Sequence, residues 1–315
     1  MPKSGSDTTA AQLQTIAAQQ QEKADFKAGV LAALLAYIIW GFAAIYYKLT
    51  ADFPAMLVIC YRILGSVLFV TFYMAYKGQL NALIDIFKNK RLMLQLSLSS
   101  AIVTLNWTVF IWAVEVDRVL DASLGYFINP LVTVALGVLV LKERLRYGQI
   151  LAISISIVAV AYQTYELGKL PWVSLVLAFS FAIYGLIRKQ TPVNAIHGQL
   201  VEVLLVSPIA LFGIAYFYQV GTNAIPLQEP WMLLALLGTG LVTAVPLALF
   251  AFGARRMPLS YIGFMQYLAP SIQFLVAIFL FREPLSQQLL WSFALIWLSL
   301  IIFSIDSYRS AKARK

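Results

Sequence analysis

Across 315 residues the chain is 61% hydrophobic and 12% charged, with a formal net charge of +9. A core of ordinary size cannot hide that much apolar surface from water, so the excess faces lipid. Soluble enzymes, DNA-binding domains and disordered scaffolds are excluded, as is nucleic acid as a partner, because the basic residues flank apolar runs.

Residues 1–25 are polar and rich in Gln and Ala, without the apolar core of a secretory signal. They read as a flexible cytoplasmic tail, with partial helix left open. From Phe26 onward, apolar segments follow one another with short polar breaks. A membrane helix needs roughly 20 apolar residues to cross about 30 Å of hydrocarbon. Ten such spans are predicted: 28–47, 54–76, 92–114, 119–141, 147–166, 171–188, 196–219, 230–253, 259–281 and 286–307. A basic tail, 309–315, closes the chain. With the N-terminus in the cytoplasm, eighteen Lys and Arg residues fall inside, and only Lys48, Arg118, Lys169 and Arg282 fall outside. That bias fixes an expected orientation with both termini cytoplasmic.

A shift of 140 residues lays the second half on the first across two spans. Asn129-Pro130 then meets Ala269-Pro270, and Lys142-Glu143-Arg144-Leu145 meets Arg282-Glu283-Pro284-Leu285. Near the start of the halves, Trp40-Gly41 meets Tyr184-Gly185 at an offset of 144. The expected units are 26–168 and 169–308, each of five spans. An odd number of spans turns the second copy upside down in the membrane, as in secondary transporters that alternate access by rocking one half against the other. Pro130 and Pro270 lie mid-span, where a lost backbone hydrogen bond lets a helix bend.

Intramembrane charge is the sharpest chemical signal. Arg62 in the second span and Glu202 in the seventh are the two ionised groups expected well inside the membrane. At 1.5 Å per residue they sit about 12 Å from the outer face and about 10 Å from the inner face, respectively. Each must face the bundle interior or a wet cavity. Arg62 reads as a binding group for an anionic or carboxylate-bearing substrate, and Glu202 as a cation contact or proton carrier. The competing reading pairs the two with each other, or with backbone carbonyls, as helix pins. Asn106, Asn129, Gln266 and Gln273 supply uncharged hydrogen-bonding groups. Tyr37, Trp40, Tyr126, Tyr184 and Tyr267 supply flat surfaces with polar tips, suited to amphipathic small molecules or to packing.

Glu143 and Glu283 close spans four and nine and read as interfacial caps paired with nearby basic residues. Asp121 at the outer mouth of span four is a gate candidate or an N-cap. His197, at the start of span seven, reads as interfacial, and Cys60 as packing. One cysteine and one histidine in the whole chain support neither a disulfide framework nor a Cys/His metal cluster. No metal or other cofactor is expected, and no catalytic residue.

Several strings resemble a known family. They are Tyr37-Ile38-Ile39-Trp40-Gly41, Asn106-Trp107 with Phe110-Ile111-Trp112-Ala113-Val114, and Ala122 through Leu131. Leu177-Ala178-Phe179-Ser180-Phe181 with Tyr184-Gly185-Leu186, and Gly263-Phe264 with Gln266-Tyr267, complete the set. The ten-span inverted layout is similar to the EamA branch of the drug/metabolite transporter superfamily, and these strings are similar to its RarD-type permeases. Over residues 26–308 the resemblance implies a bacterial cytoplasmic-membrane permease that moves small organic molecules, most often outward, in a group labelled for chloramphenicol. Arg62 in Tyr61-Arg62 and Glu202 in Val201-Glu202-Val203 match the family's positions. Residues 115–118 and the longer N-terminal tail depart from it.

The expected protein is thus an all-α, ten-helix carrier with small-molecule substrate and lipid as its partners. Proton coupling through Glu202 and uncoupled facilitation or exchange both stay open, as does the oligomeric state. No Walker-type glycine loop is present, so ATP is not the direct driver. The other classes are a polytopic sensor or structural partner, and a membrane-embedded enzyme, for which the acids are too dispersed.

Overall fold

A computed structural model describes residues 5–116, 118–167, 172–221, 226, 229–280, 282 and 287–313. Among these residues the fold is all helix and turn, without a strand. The elements are α1 (Gly5–Tyr47), α2 (Ala55–Tyr76), α3 (Ala82–Lys88), α4 (Lys90–Glu115), α5 (Val119–Leu139) and α6 (Tyr147–Leu167). They continue with α7 (Trp172–Gln190), α8 (Ala195–Gln219), α9 (Pro230–Ala254), α10 (Leu259–Gln266), α11 (Leu268–Leu275) and α12 (Gln287–Ala313). Nine helical stretches among the described residues are long and apolar enough to cross a bilayer, and Leu124–Leu139 of α5 is a shorter apolar helix.

Three features differ from the sequence-based expectation. The tail is not separate from the first span: α1 begins at Gly5 and runs unbroken into the apolar segment. Its Ala, Gln, Glu and Lys residues are good helix formers, and the following span supplies the nucleus a short helix lacks. An extra helix, α3, fills the connection after α2. Its Ile86 is buried with Leu96, Val193 and Val201, and Leu83 packs on the same cluster. The expected ninth span is present as Leu259–Leu280 but is not one regular helix: it turns at Tyr267, between α10 and α11, and ends in a π-helical turn, Val276–Leu280. Pro270 has no N–H for the carbonyl of Gln266, which removes one helical hydrogen bond at this turn. Pro130 stands inside an unbroken α5.

Helix α1 packs on α9 and on α10 and α11, α2 on α8 and α9, and α4 on α7 and α8. Helix α5 packs on α7 and α10, and α6 on α12. Helices α2 and α9 cross closely at Gly65 and Gly240. A Cβ on Gly65 would collide with the Leu237 carbonyl, and one on Gly240 with the Ser66 amide nitrogen. The Ser66 hydroxyl reaches the Gly240 carbonyl at 3.0 Å, so backbone rests on backbone. Gly65→Leu or Gly240→Leu should force the helices apart and cost about 1–3 kcal/mol or more. Thermal unfolding in detergent, followed by size-exclusion fluorescence, checks this, and an unchanged midpoint would refute it.

One end of the bundle is tied by charge. The Lys189 ammonium donates to the carbonyls of Ala254 (2.9 Å) and Met257 (2.5 Å), at the C-terminus of α9. Arg146 pairs with Asp306 at 2.7 Å and donates to the Tyr261 hydroxyl, and Arg256 lies 3.8 Å from Asp25. The Arg255 guanidinium donates to the Val193 carbonyl. At the same end, the Glu143 carboxylate accepts from the backbone N–H groups of Leu259 (2.6 Å) and Ser260 (2.9 Å), capping α10 from the α5–α6 connection.

Candidate functional site

A cavity of about 690 Å³ reaches from the α1–α2 connection into the middle of the bundle. Each wall is a helical stripe at spacings of three and four residues, the pattern of a single helix face. On α1 the stripe is Tyr37, Trp40, Ala44 and Tyr47, on α2 it is Ala55, Ile59 and Arg62, and on α5 it is Tyr126 and Asn129. Helices α10 and α11 contribute Gln266, Ala269, Pro270 and Gln273, and Asn106 and Phe181 face in from α4 and α7. Small residues leave the space and aromatics form its surface, the common makeup of a small-molecule site.

Arg62 is half-buried, and its guanidinium lies over the Trp107 ring at 4.3 Å from the centroid. That stacking holds the planar cation without using its N–H donors. Nε and Nη2 of Arg62 are buried and have no hydrogen-bond partner. The Gln266 side chain lies against the Tyr37 hydroxyl, which donates to the Ile262 carbonyl. The Gln266 amide oxygen lies 3.2 Å from the Thr133 hydroxyl, which also reaches the Asn129 amide oxygen at 3.1 Å. Gln273 donates to the Trp40 carbonyl at 3.1 Å and ties α11 to α1. Asn106 lines the cavity, but both of its contacts are structural: it donates to the Leu177 carbonyl and to the Ser180 hydroxyl of α7 at 2.9 and 2.8 Å.

Seven of the ten residues expected to bind substrate line this cavity: Tyr37, Trp40, Arg62, Asn106, Tyr126, Asn129 and Gln266. The other three do not. Tyr184 is fully buried and stacks on Phe250 at 6.1 Å. Tyr267 is buried with Phe127 and Phe293, and its hydroxyl donates to the Phe127 carbonyl at 3.2 Å. One residue along a helix turns the side chain by about 100°, so Gln266 faces the cavity and Tyr267 faces α5.

Glu202 is the third, and its surroundings correct the expected charge map. It does not meet Arg62. Its carboxylate accepts from the Ser99 hydroxyl, lies 3.4 Å from the Tyr184 hydroxyl, and pairs with Arg188 at 3.6 Å. Arg188 and Glu202 are 1% and 3% exposed, so this is a buried ion pair. The sequence places Arg188 at the end of a span beside Lys189, as one more cytoplasmic charge. In the structure its long side chain turns inward, and its Nη2 donates to the Ala195 carbonyl at 2.9 Å. Gly198 makes this possible, since a Cβ there would strike the guanidinium. A glycine one turn before a buried acid was the only local signal. Trp107 stands between the two charged sites: it lines both the main cavity and a crevice of about 10 Å³ that reaches Glu202.

Among the remaining candidates, Pro270 lines the cavity and Pro130 does not. Glu143 caps α10, and its charge also acts on the nearby Lys189. His197 exchanges a hydrogen bond with Gln79 at 3.1 Å, and Cys60 is buried, as its packing role requires. The Asp121 side chain and Glu283 lie outside the described residues. No group of three or more His, Cys, Asp or Glu able to hold a metal occurs among the described residues.

Residues 27–164 match the model of the EamA-like transporter family. The uncharacterized transporter PA0485 of Pseudomonas aeruginosa is 41% identical over 289 residues, covering 92% of this chain and 97% of that protein. The uncharacterized transporter YojE of Bacillus subtilis is 38% identical, over 93% of this chain and 99% of its own. Protein RarD of Escherichia coli is 40% identical over 284 residues, 89% of this chain and 94% of that protein. One crystal structure superposes with a TM-score of 0.65 at 15% identity, over 87% of this chain and 96% of that one, a likeness of fold alone.

Proposed function

Given that the chain belongs to the EamA-like transporter family, as a RarD-type permease, we propose that it carries small organic molecules across the bacterial cytoplasmic membrane. The observation that carries the reading is the cavity, because its walls come from both halves of the chain. Helices α1, α2, α4 and α5 contribute on one side, and α7, α9, α10 and α11 on the other. A site at the seam of two halves is the one a rocking carrier needs.

Two features support inverted five-helix repeats, with ten crossings in all. Lys142 and Arg282, 140 residues apart, are non-glycine residues with positive φ, 56° and 55°. Such a conformation is rare for side chains with a Cβ, and its recurrence at the repeat spacing argues for one ancestral turn. The packing also maps onto itself. Let α1, α2, α4, α5 and α6 exchange with α7, α8, α9, α10–α11 and α12. The contact of α1 with α9 then becomes that of α7 with α4, and α5 with α7 becomes α10–α11 with α1. The pairs α2–α8, α5–α10 and α6–α12 map onto themselves.

The excess of Lys and Arg puts the charge-tied end and both termini in the cytoplasm. The cavity then faces outward, and alternating access requires the charge-tied end to open. Cells expressing the wild type, Arg62→Ala, Glu202→Gln or an empty vector test the reading. Intracellular and extracellular metabolites are profiled along with retention of added chloramphenicol. The expected result is at least one solute moved by the wild type and reduced about tenfold or more by Arg62→Ala. No difference among strains at equal membrane expression would overturn the carrier reading in favour of a sensor or structural role.

A further inference from the structure

We infer that the cavity is built for an aromatic organic anion, with its carboxylate or equivalent acid group on Arg62 and its ring against the aromatic wall. The inference rests on the carrier reading above and narrows it to a substrate class. Three observations on the cavity converge.

The first is charge. Arg62 lines the cavity, and no Asp or Glu is among the described residues that line it. Glu202, the acid on the far side of Trp107, is engaged by Arg188 and Ser99 and does not offset Arg62. A cation facing a partly enclosed space raises the local concentration of anions and repels amines.

The second is hydrogen bonding. Among the described residues of the cavity wall, Nε and Nη2 of Arg62 are buried and lack a partner, and both are donors. Buried donors left unpaired are costly, so the site is completed by a ligand rich in acceptors. Nε and Nη2 point from the same edge of the guanidinium, the edge that takes a carboxylate through two parallel hydrogen bonds. A neutral amide offers one carbonyl to that edge and leaves the cation unneutralised. An ammonium group offers it nothing.

The third is shape. Tyr37, Trp40, Trp107, Phe110, Tyr126 and Phe181 face the same space as Arg62. Trp107 already fixes the plane of the guanidinium, so an acid group docked on Arg62 is held in register with the surrounding rings. Flat aromatic surface beside a bidentate anion clamp selects a planar ring bearing one acid group over an aliphatic acid of the same charge.

The test uses full-length protein in proteoliposomes and three probes that share one ring: 4-hydroxybenzoate, 4-hydroxybenzamide and 4-hydroxybenzylamine. Flux through protein-free vesicles is subtracted, and binding in detergent is followed by thermal shift. The wild type should move and be stabilised by the acid, with a preference of about ten- to a hundredfold over the amide and no stabilisation by the amine. Arg62→Gln should abolish the preference, and Arg62→Lys, which keeps the charge but loses the fork, should keep only part of it. Both variants are compared at equal elution by size exclusion, and the wild-type preference stands as a test even where a variant fails to fold. Movement of the amide or amine as fast as the acid would overturn the anion assignment and leave the carrier function standing. Movement of none of the three would also overturn it, and the metabolite profile of the preceding section then decides separately whether the protein is a carrier.

Discussion

Arg188→Ala is expected to destabilise the folded protein by about 3–5 kcal/mol, the usual loss when one partner of a buried ion pair is removed. The penalty is large because the Glu202 carboxylate stays behind, 3% exposed, with hydroxyl donors from Ser99 and Tyr184 but no counter-charge. Glu202→Gln carries a similar risk in reverse, since the Arg188 guanidinium then loses its acid and already has Nη1 without a partner. Removing both charges together behaves differently. Arg188→Met with Glu202→Leu replaces the pair by apolar groups of comparable size, and the cost should fall to near zero or change sign. Gly198→Ala provides an independent check, because its methyl group would strike the Arg188 guanidinium and displace it while leaving both charged residues in the chain. Unfolding midpoints in detergent for the four variants measure all of this. The double variant also separates structure from transport. If it is stable and inactive, the pair acts in the transport cycle; if it is stable and active, the pair only joins α7 to α8. Equal destabilisation by the single and double variants would refute the ion-pair account.

The second large effect is expected at Glu143. Its two carboxylate oxygens accept from consecutive backbone N–H groups at the start of α10, so the side chain of one half closes the helix end of the other. It also places a negative charge at the positive end of the helix dipole. Glu143→Ala removes both acceptors and should cost about 0.5–2 kcal/mol, typical of a lost cap. That energy is lost only in the conformation in which the charge-tied end is closed. A preference of about 1.4 kcal/mol corresponds to a tenfold change in the ratio of two states, so the variant should shift measurably toward opening at this end. Ser260→Cys in a Cys60→Ala background reports it, because Ser260 is 3% exposed and its backbone N–H is one of the two capped groups. Labelling by a charged maleimide from the Glu143 side should be about tenfold faster in Glu143→Ala than in its parent. Glu143→Gln, which keeps an acceptor oxygen and loses the charge, should fall between. Equal labelling rates in all three would exclude Glu143 as a latch.

What the sequence revealed, and what it concealed, follows from the range of each interaction. Long apolar runs announce membrane helices wherever they end up packing, so the positions of α2, α8 and α9 were readable to within a residue or two. Arg62 was readable because no arginine is tolerated mid-span without a reason. Arg188 was not, because at the end of a span an inward and an outward side chain share one sequence signature, and Lys189 beside it suggested a loop. Tyr267 was misplaced by a single step of helical rotation, which the local break of α10 from α11 leaves undetermined. Glu143 looked like a local cap because its true partners are 116 and 117 residues away. Only the folded chain brings them together.

The crossing of α2 and α9 has a mechanical meaning. Gly65 and Gly240 stand near the midpoints of their helices, and α2 and α9 belong to opposite halves of the chain. With backbone resting on backbone, this contact would serve the proposed rocking as a fulcrum with almost no lever arm of its own. A helix of 25 residues is about 37 Å long, so a tilt of about 10° around its centre carries each tip by about 3 Å. The tips would open one mouth and narrow the other by equal amounts, while the backbones at the pivot barely slide.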